Sequence, residues 1–199
     1  MATPIEFWFE FASTYSYPGA CRIEAVTRAA NIEVLWKPFL LGPIFAEQGF
    51  EDSPFNLQPL KGRYMWRDLE RLCEGYGFPF RKPSAFPRNG LLAARAACAG
   101  DGQVWLPDFV RAVYTANFAD DRDIADASVI ADCLTGCGVD AGDILERASS
   151  SVVKAQLRAN TDAARERGIF GAPSFVVGGE LFWGNDRLGD AVSFALLGG

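Results

Sequence analysis

Residues 4–11 form an almost unbroken apolar and aromatic run, interrupted only by Glu6 and Glu10, and read as a buried strand. The period then changes. Ile23, Val26, Thr27 and Ala30 recur at helical spacing, with Ser13 or Thr14 placed to cap the helix. Pro18 is tolerated in a first turn, where its missing donor has no intrahelical partner. Residues 32–39 read as a second strand that Pro38 ends.

The middle of the chain loses this alternation. After a Pro- and Asn-bearing break at 54–58, residues 60–76 predict a helix with two stripes, Tyr64/Asp68/Leu72 and Met65/Leu69/Cys73. Residues 77–87 are Pro-rich and irregular. Helices are expected at 89–99, 107–118, 127–134, 141–148 and 151–168. The last has a seam of Val153, Leu157, Thr161 and Ala164 and ends on Gly168. Strands return at 172–177 and 180–183 around a Gly178-Gly179 turn, followed by a helix over 186–197. Strand-helix-strand and strand-strand-helix, separated by helices, predict an α/β fold: one four-stranded mixed sheet with a large helical insertion. A cleft between the sheet and the insertion would suit a small molecule. The turn at 12–16 would face that cleft with free backbone N–H groups.

At 199 residues the chain is long enough for one sizeable core. The net charge of −6 and the lack of basic runs argue against nucleic acid or an anionic membrane as a partner. No apolar stretch is long enough to span a bilayer. Histidine is absent, which removes His-based metal sites, Ser-His-Asp and Cys-His systems, and imidazole base catalysis. The five cysteines, Cys21, Cys73, Cys98, Cys133 and Cys137, include no C-x-x-C pair. They are expected to be reduced, non-metal residues in a cytoplasmic setting.

Chemistry must then come from hydroxyls, carboxylates, lysines, backbone amides or a borrowed reagent. Ser13 reads either as a helix cap or as a hydroxyl donating to an anionic ligand atom. With no adjacent base, it is a poor nucleophile. Thr14 and Ser16 read as local caps, and Tyr15 and Tyr17 as core rings or site walls. Ala172-Pro173 is an ordinary trans pair by frequency; a cis bond would turn the Ala172 backbone toward an extended ligand. Asn185 and Asp186 read as a cap, or as the grip on a zwitterionic amino-acid end. Lys61, Arg63 and Tyr64, after Phe55 and Asn56, supply the cations, amide and rings that fit an aromatic carboxylate.

Four blocks carry a family resemblance: FEFASTYSYP at 9–18; KPFLLGPIF at 37–45 with FNLQPLKGRYMWRDLERL at 55–72; FPFRKPSAFPRNGLLAAR at 78–95; and GIFGAPSFVVGGELFWGNDRL at 168–188. Together they resemble the 2-hydroxychromene-2-carboxylate isomerases, relatives of the kappa-class glutathione transferases and of the DsbA-like branch of the thioredoxin superfamily. The resemblance implies a thioredoxin-like domain at 1–40 and 165–199, a helical insertion domain at 41–164, and a homodimer. It implies glutathione as a catalytic cofactor that is neither consumed nor oxidised, and a small aromatic carboxylate as substrate.

In that resemblance Ser13 replaces the first active cysteine of the redox relatives and donates to the glutathione sulfur. Pro173 is cis, Ala172 pairs with the glutathione cysteine, and Asn185 and Asp186 hold the γ-glutamyl end. Asn56 and Lys61 approach glutathione, while Tyr15, Lys61 and Tyr64 approach the substrate. Thr14 stands where members commonly have proline, and Gly49-Phe50 where some have Gly-Asn. A kappa-like transferase, a glutathione-dependent reductase and a non-enzymatic binding protein on the same fold are the alternatives.

Overall fold

Ile5, Phe7 and Phe9 alternate with Glu6 and Trp8 along β1 (Ile5–Phe9), and this alternation divides the core into two layers. The computed structural model describes residues 2–198. β1 pairs in parallel with β2 (Val34–Pro38), through the crossover helix α1 (Ser16–Ala29). On its other edge β1 meets β3 (Ser174–Val177) antiparallel, with Phe7 opposite Phe175, and β3 continues into β4 (Glu180–Trp183). The strand order is β2-β1-β3-β4, the four-stranded mixed sheet expected from the pattern. Gly178 and Gly179 both have positive φ, 56° and 92°, which suits the tight turn of this hairpin.

Between β2 and β3 lie eight helices: α2 (Leu41–Glu47), α3 (Pro54–Leu57), α4 (Pro59–Tyr76), α5 (Leu91–Ala99), α6 (Leu106–Phe118), α7 (Ala127–Gly136), α8 (Ala141–Ser149) and α9 (Ser151–Glu166). A 3-10 turn, Asn185–Arg187, and α10 (Leu188–Leu196) close the chain. One continuous buried cluster joins Phe7, Phe9, Trp36 and Phe175 of the sheet to α1 and to α4–α9. Trp8, Phe39, Ile44, Ala164, Ile169 and Val176 fill a smaller layer on the opposite face. In α9 the predicted seam of Val153, Leu157, Thr161 and Ala164 is buried.

Three local expectations differ from the structure. The 54–58 break contains the short helix α3, with Pro54 at its first position and Ser53 Oγ accepting from Phe55 N–H at 3.4 Å. α2 was not foreseen, since LGPIFAE is short and carries Gly42 and Pro43; burial of Leu41 and Ile44 stabilises it instead. The helix after β1 starts at Ser16 and has no side-chain cap, so Ser13, Thr14 and Ser16 are not caps. Thr14 is buried, and its hydroxyl donates to Met65 Sδ at 3.2 Å, tying the turn to α4. Ser16 Oγ is buried without a hydrogen-bond partner.

Candidate functional site

The C-terminal end of β1 opens into a cavity of about 1290 Å³. Its walls are the 12–15 turn, α2–α4, the 86–91 segment, and residues 170–172 and 183–187. Ser13 lies at the junction of these walls. Its N–H donates to the Glu10 carbonyl at 3.0 Å and its Oγ donates to the Ala172 carbonyl at 2.8 Å. The chain therefore joins the end of β1 to the start of β3 through this hydroxyl. The Ala172-Pro173 bond is cis; Ala172 lines the cavity while Pro173 is buried behind it. The N–H groups of the turn are not all free, since Glu10 Oε2 accepts from Ala12 N–H at 3.0 Å.

The far wall is built by β4 and the 3-10 turn. Gly184 has φ 114° and donates its N–H to the Pro173 carbonyl at 2.9 Å. That φ favours glycine, and a side chain there would also displace Asp186 Oδ1, 2.5 Å from its Cβ position. The bend places Asn185 in the wall, buried, where Arg22 Nη1 donates to its Oδ1 at 3.0 Å. Its Nδ2 is buried with no partner, a donor pair left available. Asp186 is exposed beside Arg187, 3.4 Å away. Arg22 is itself placed 4.2 Å from the centre of the Tyr76 ring.

α4 supplies the third wall. Its Met65, Leu69 and Cys73 stripe is fully buried, so the Tyr64, Asp68 and Leu72 stripe faces the cavity. Lys61 and Tyr64 are exposed on this wall. The Tyr15 hydroxyl donates to Asp68 Oδ2 at 3.0 Å; burial first, and that carboxylate second, push its pKa up and keep it a neutral phenol. Asn56 lies outside the cavity. Its Nδ2 donates to Asp52 Oδ2 at 3.0 Å and to the Phe86 carbonyl at 3.1 Å, tying α3 to the 86–91 segment.

The structure thus brings Ser13, Tyr15, Lys61, Tyr64, Ala172, Asn185 and Asp186 to one cavity. Three further groups escaped the sequence reading. Glu10 looked like an acid merely interrupting a strand. Asp68 looked like part of a helical stripe. Arg22 gave no signal, because its partner Asn185 is 163 residues away.

None of the five cysteines lines the cavity, and all are free. Burial pushes Cys21 and Cys133 up to about 11 and Cys73 and Cys98 up to about 12, so these thiols stay protonated at neutral pH. Among the described residues there is no cluster of groups able to hold a metal ion, and no helix is long and apolar enough to cross a membrane.

A parallel β1-β2 pair, an antiparallel β3-β4 hairpin and a cis proline opening β3 beside the β1–α1 turn define a thioredoxin-type site with an all-helical insertion. Residues 4–193 match the DsbA-like thioredoxin domain, and the chain belongs to that family. Within it, the chain is 28% identical over 197 residues to a 2-hydroxychromene-2-carboxylate isomerase of Sphingobium xenophagum, covering 98% of this chain and 100% of the relative. It is also 28% identical over 207 residues to glutathione S-transferase kappa 2 of Caenorhabditis elegans, covering 96% and 90%. A solved structure of a 2-hydroxychromene-2-carboxylate isomerase superposes with a TM-score of 0.86 at 24% identity, covering 96% of this chain and 93% of the other.

Proposed function

We propose that this protein is a glutathione-dependent isomerase that interconverts 2-hydroxychromene-2-carboxylate and trans-o-hydroxybenzylidenepyruvate, or a closely related aromatic acid. The observation that carries the reading is the Ser13 hydroxyl, 2.8 Å from the Ala172 carbonyl at the cis proline, on the wall of a cavity large enough for a tripeptide and a ring.

The chain's own groups fit glutathione. The unpartnered Asn185 Nδ2 is a buried donor for a carboxylate, and the exposed Asp186 beside it suits an ammonium, together matching a γ-glutamyl end. Ala172 offers its backbone at the start of β3. Bound there, glutathione would supply a thiol nucleophile for reversible addition to the conjugated double bond of the opened ring, which permits rotation without net oxidation.

Ser13 carries a single hydroxyl proton, so it must turn from the Ala172 carbonyl to donate to the glutathione sulfur. With the cysteines protonated and away from the cavity, no thiolate of the chain competes for the site. Lys61 is the cation that steadies the pyruvate carboxylate and the negative charge developing on the substrate oxygen. Tyr15, oriented by its hydrogen bond to Asp68, and Tyr64 present rings to the aromatic part. Asn56 supports glutathione and substrate indirectly, by holding α3 against the 86–91 segment.

Calorimetry with glutathione tests the cofactor, and turnover of the chromene-carboxylate tests the reaction. Glutathione should bind, raise the unfolding temperature, and be required for turnover. Absence of binding would overturn the reading. A kappa-like transferase, the reading that the equally similar Caenorhabditis elegans relative supports, would use the same pocket. It would release a glutathione conjugate from a halogenated aromatic and leave the chromene unchanged.

A further inference from the structure

Glu10 has no part in the chemistry above, yet it lines the same cavity one residue beyond β1. Its carboxyl is half-buried and held at the site by the backbone: Oε2 accepts from Ala12 N–H at 3.0 Å. Its main chain is fixed from both sides, since its carbonyl accepts from Ser13 N–H at 3.0 Å and from the Tyr114 hydroxyl at 2.9 Å. Oε1 faces the 86–91 segment, where a side chain on Gly90 would come within 3.4 Å of it. Glu10 and Gly90 line the same cavity.

Isomerising a chromene hemiketal first requires the ring to open. That step moves one proton between the two oxygens bonded to the hemiketal carbon, from its hydroxyl to its ring oxygen, which thiolate addition does not do. We propose that Glu10 carries this proton, an assignment that rests on the isomerase reading. As carboxylate, Glu10 takes the proton of the hemiketal hydroxyl while the bond between that carbon and the ring oxygen breaks and a C=O bond forms. As carboxylic acid, it then returns the proton to the phenolate oxygen just released. Protons and electrons balance, and Glu10 ends as it began.

The carboxyl is suited to both halves of the step. Burial pushes it from 4.5 up to about 7, against the smaller opposing effect of the Ala12 and Ser13 N–H groups, so both forms are populated near neutrality. The other charged groups of the cavity are held away from Glu10 or exposed to solvent. Arg88 is committed to Asp121 at 2.5 Å, and Asp68 to Tyr15 and Arg71. Lys61, Glu51 and Asp52 stand exposed on the helical wall, and Asp186 and Arg187 on the wall after β4. Tyr114 of α6, driven to a high pKa by burial and by Glu10, stays neutral.

The test compares wild-type protein with Glu10→Gln and Glu10→Asp, each with glutathione and the chromene-carboxylate. Carbon-13 NMR of the free protein should show one carboxyl titrating near 7 that is missing from Glu10→Gln. The pH profile of kcat/KM should bend near that value in wild type and not in Glu10→Gln. Turnover by Glu10→Gln should fall on the order of 100-fold while glutathione binding is retained, with partial recovery in Glu10→Asp. Turnover by Glu10→Gln within about threefold of wild type, with an unchanged pH profile, would overturn the assignment alone. So would a Glu10 carboxyl titrating at ordinary values in the wild-type spectrum, a result that needs no variant to fold. Wild-type protein that binds glutathione but leaves the chromene unchanged would overturn the isomerase reading, and the role of Glu10 with it.

Discussion

Ser13 and Glu10 stand three residues apart on one turn, and their neighbours separate their behaviour. The Ser13 hydroxyl makes one hydrogen bond, to Ala172. Ser13→Ala should therefore cost only about 1 kcal/mol in denaturant unfolding. The same variant should lower turnover by about 100-fold and raise the pKa of bound glutathione, read from its thiolate absorbance. Glu10 makes the opposite prediction for stability. Its pKa rises from 4.5 to about 7 on folding, so between these values the folded chain keeps a proton that the unfolded chain has released. Stability then falls as pH rises through that window. Glu10→Gln removes the penalty and should unfold at higher urea than wild type at about pH 8, by no more than about 3 kcal/mol, with the gain gone at about pH 4.5. Ser13 was legible because a hydroxyl at a strand-to-helix turn is conspicuous in a chain without histidine. Glu10 was not, since only burial distinguishes it from any strand-edge acid.

α4 shows what periodicity can and cannot tell. Its two stripes were evident in the sequence, and packing decides which is core: Met65, Leu69 and Cys73 are fully buried. Leu69→Ala should cost roughly 2–5 kcal/mol in unfolding experiments, through the cavity it leaves. Asp68→Asn, on the other stripe, should change that stability little and alter substrate KM through Tyr15. At the start of the helix, a side chain at Gly62 would lie 2.2 Å from the Phe55 carbonyl. Gly62→Ala should accordingly push α3 from α4, lowering the melting temperature and weakening substrate binding together. Such a close approach cannot be read from spacing, because Phe55 lies within the 54–58 break that precedes the helix. α2 escaped notice for a related reason. A seven-residue segment with Gly and Pro carries no local helical signal, and its stability comes from Leu41 and Ile44 against the far face of the sheet.

For the molecule as a whole, the order of elements was legible because strand, helix and turn signals changed sharply along the chain. The crossover at one end and the hairpin at the other were legible as neighbouring pairs, whereas the antiparallel β1-β3 pairing that joins them was not. What sequence order could not give is convergence: Ser13 meets Ala172, and Arg22 meets Asn185, across about 160 residues. Those meetings bring the walls of one cavity together and motivate the assignment of a borrowed thiol to a chain whose own thiols lie away from that cavity. The central claim is a glutathione requirement without glutathione consumption. The direct measurement is turnover of 2-hydroxychromene-2-carboxylate at increasing glutathione, with free thiol quantified after many cycles. A rate that saturates with glutathione, with all thiol recovered and no conjugate or disulfide formed, is the predicted result. Turnover independent of glutathione, or thiol lost in proportion to product, would contradict it.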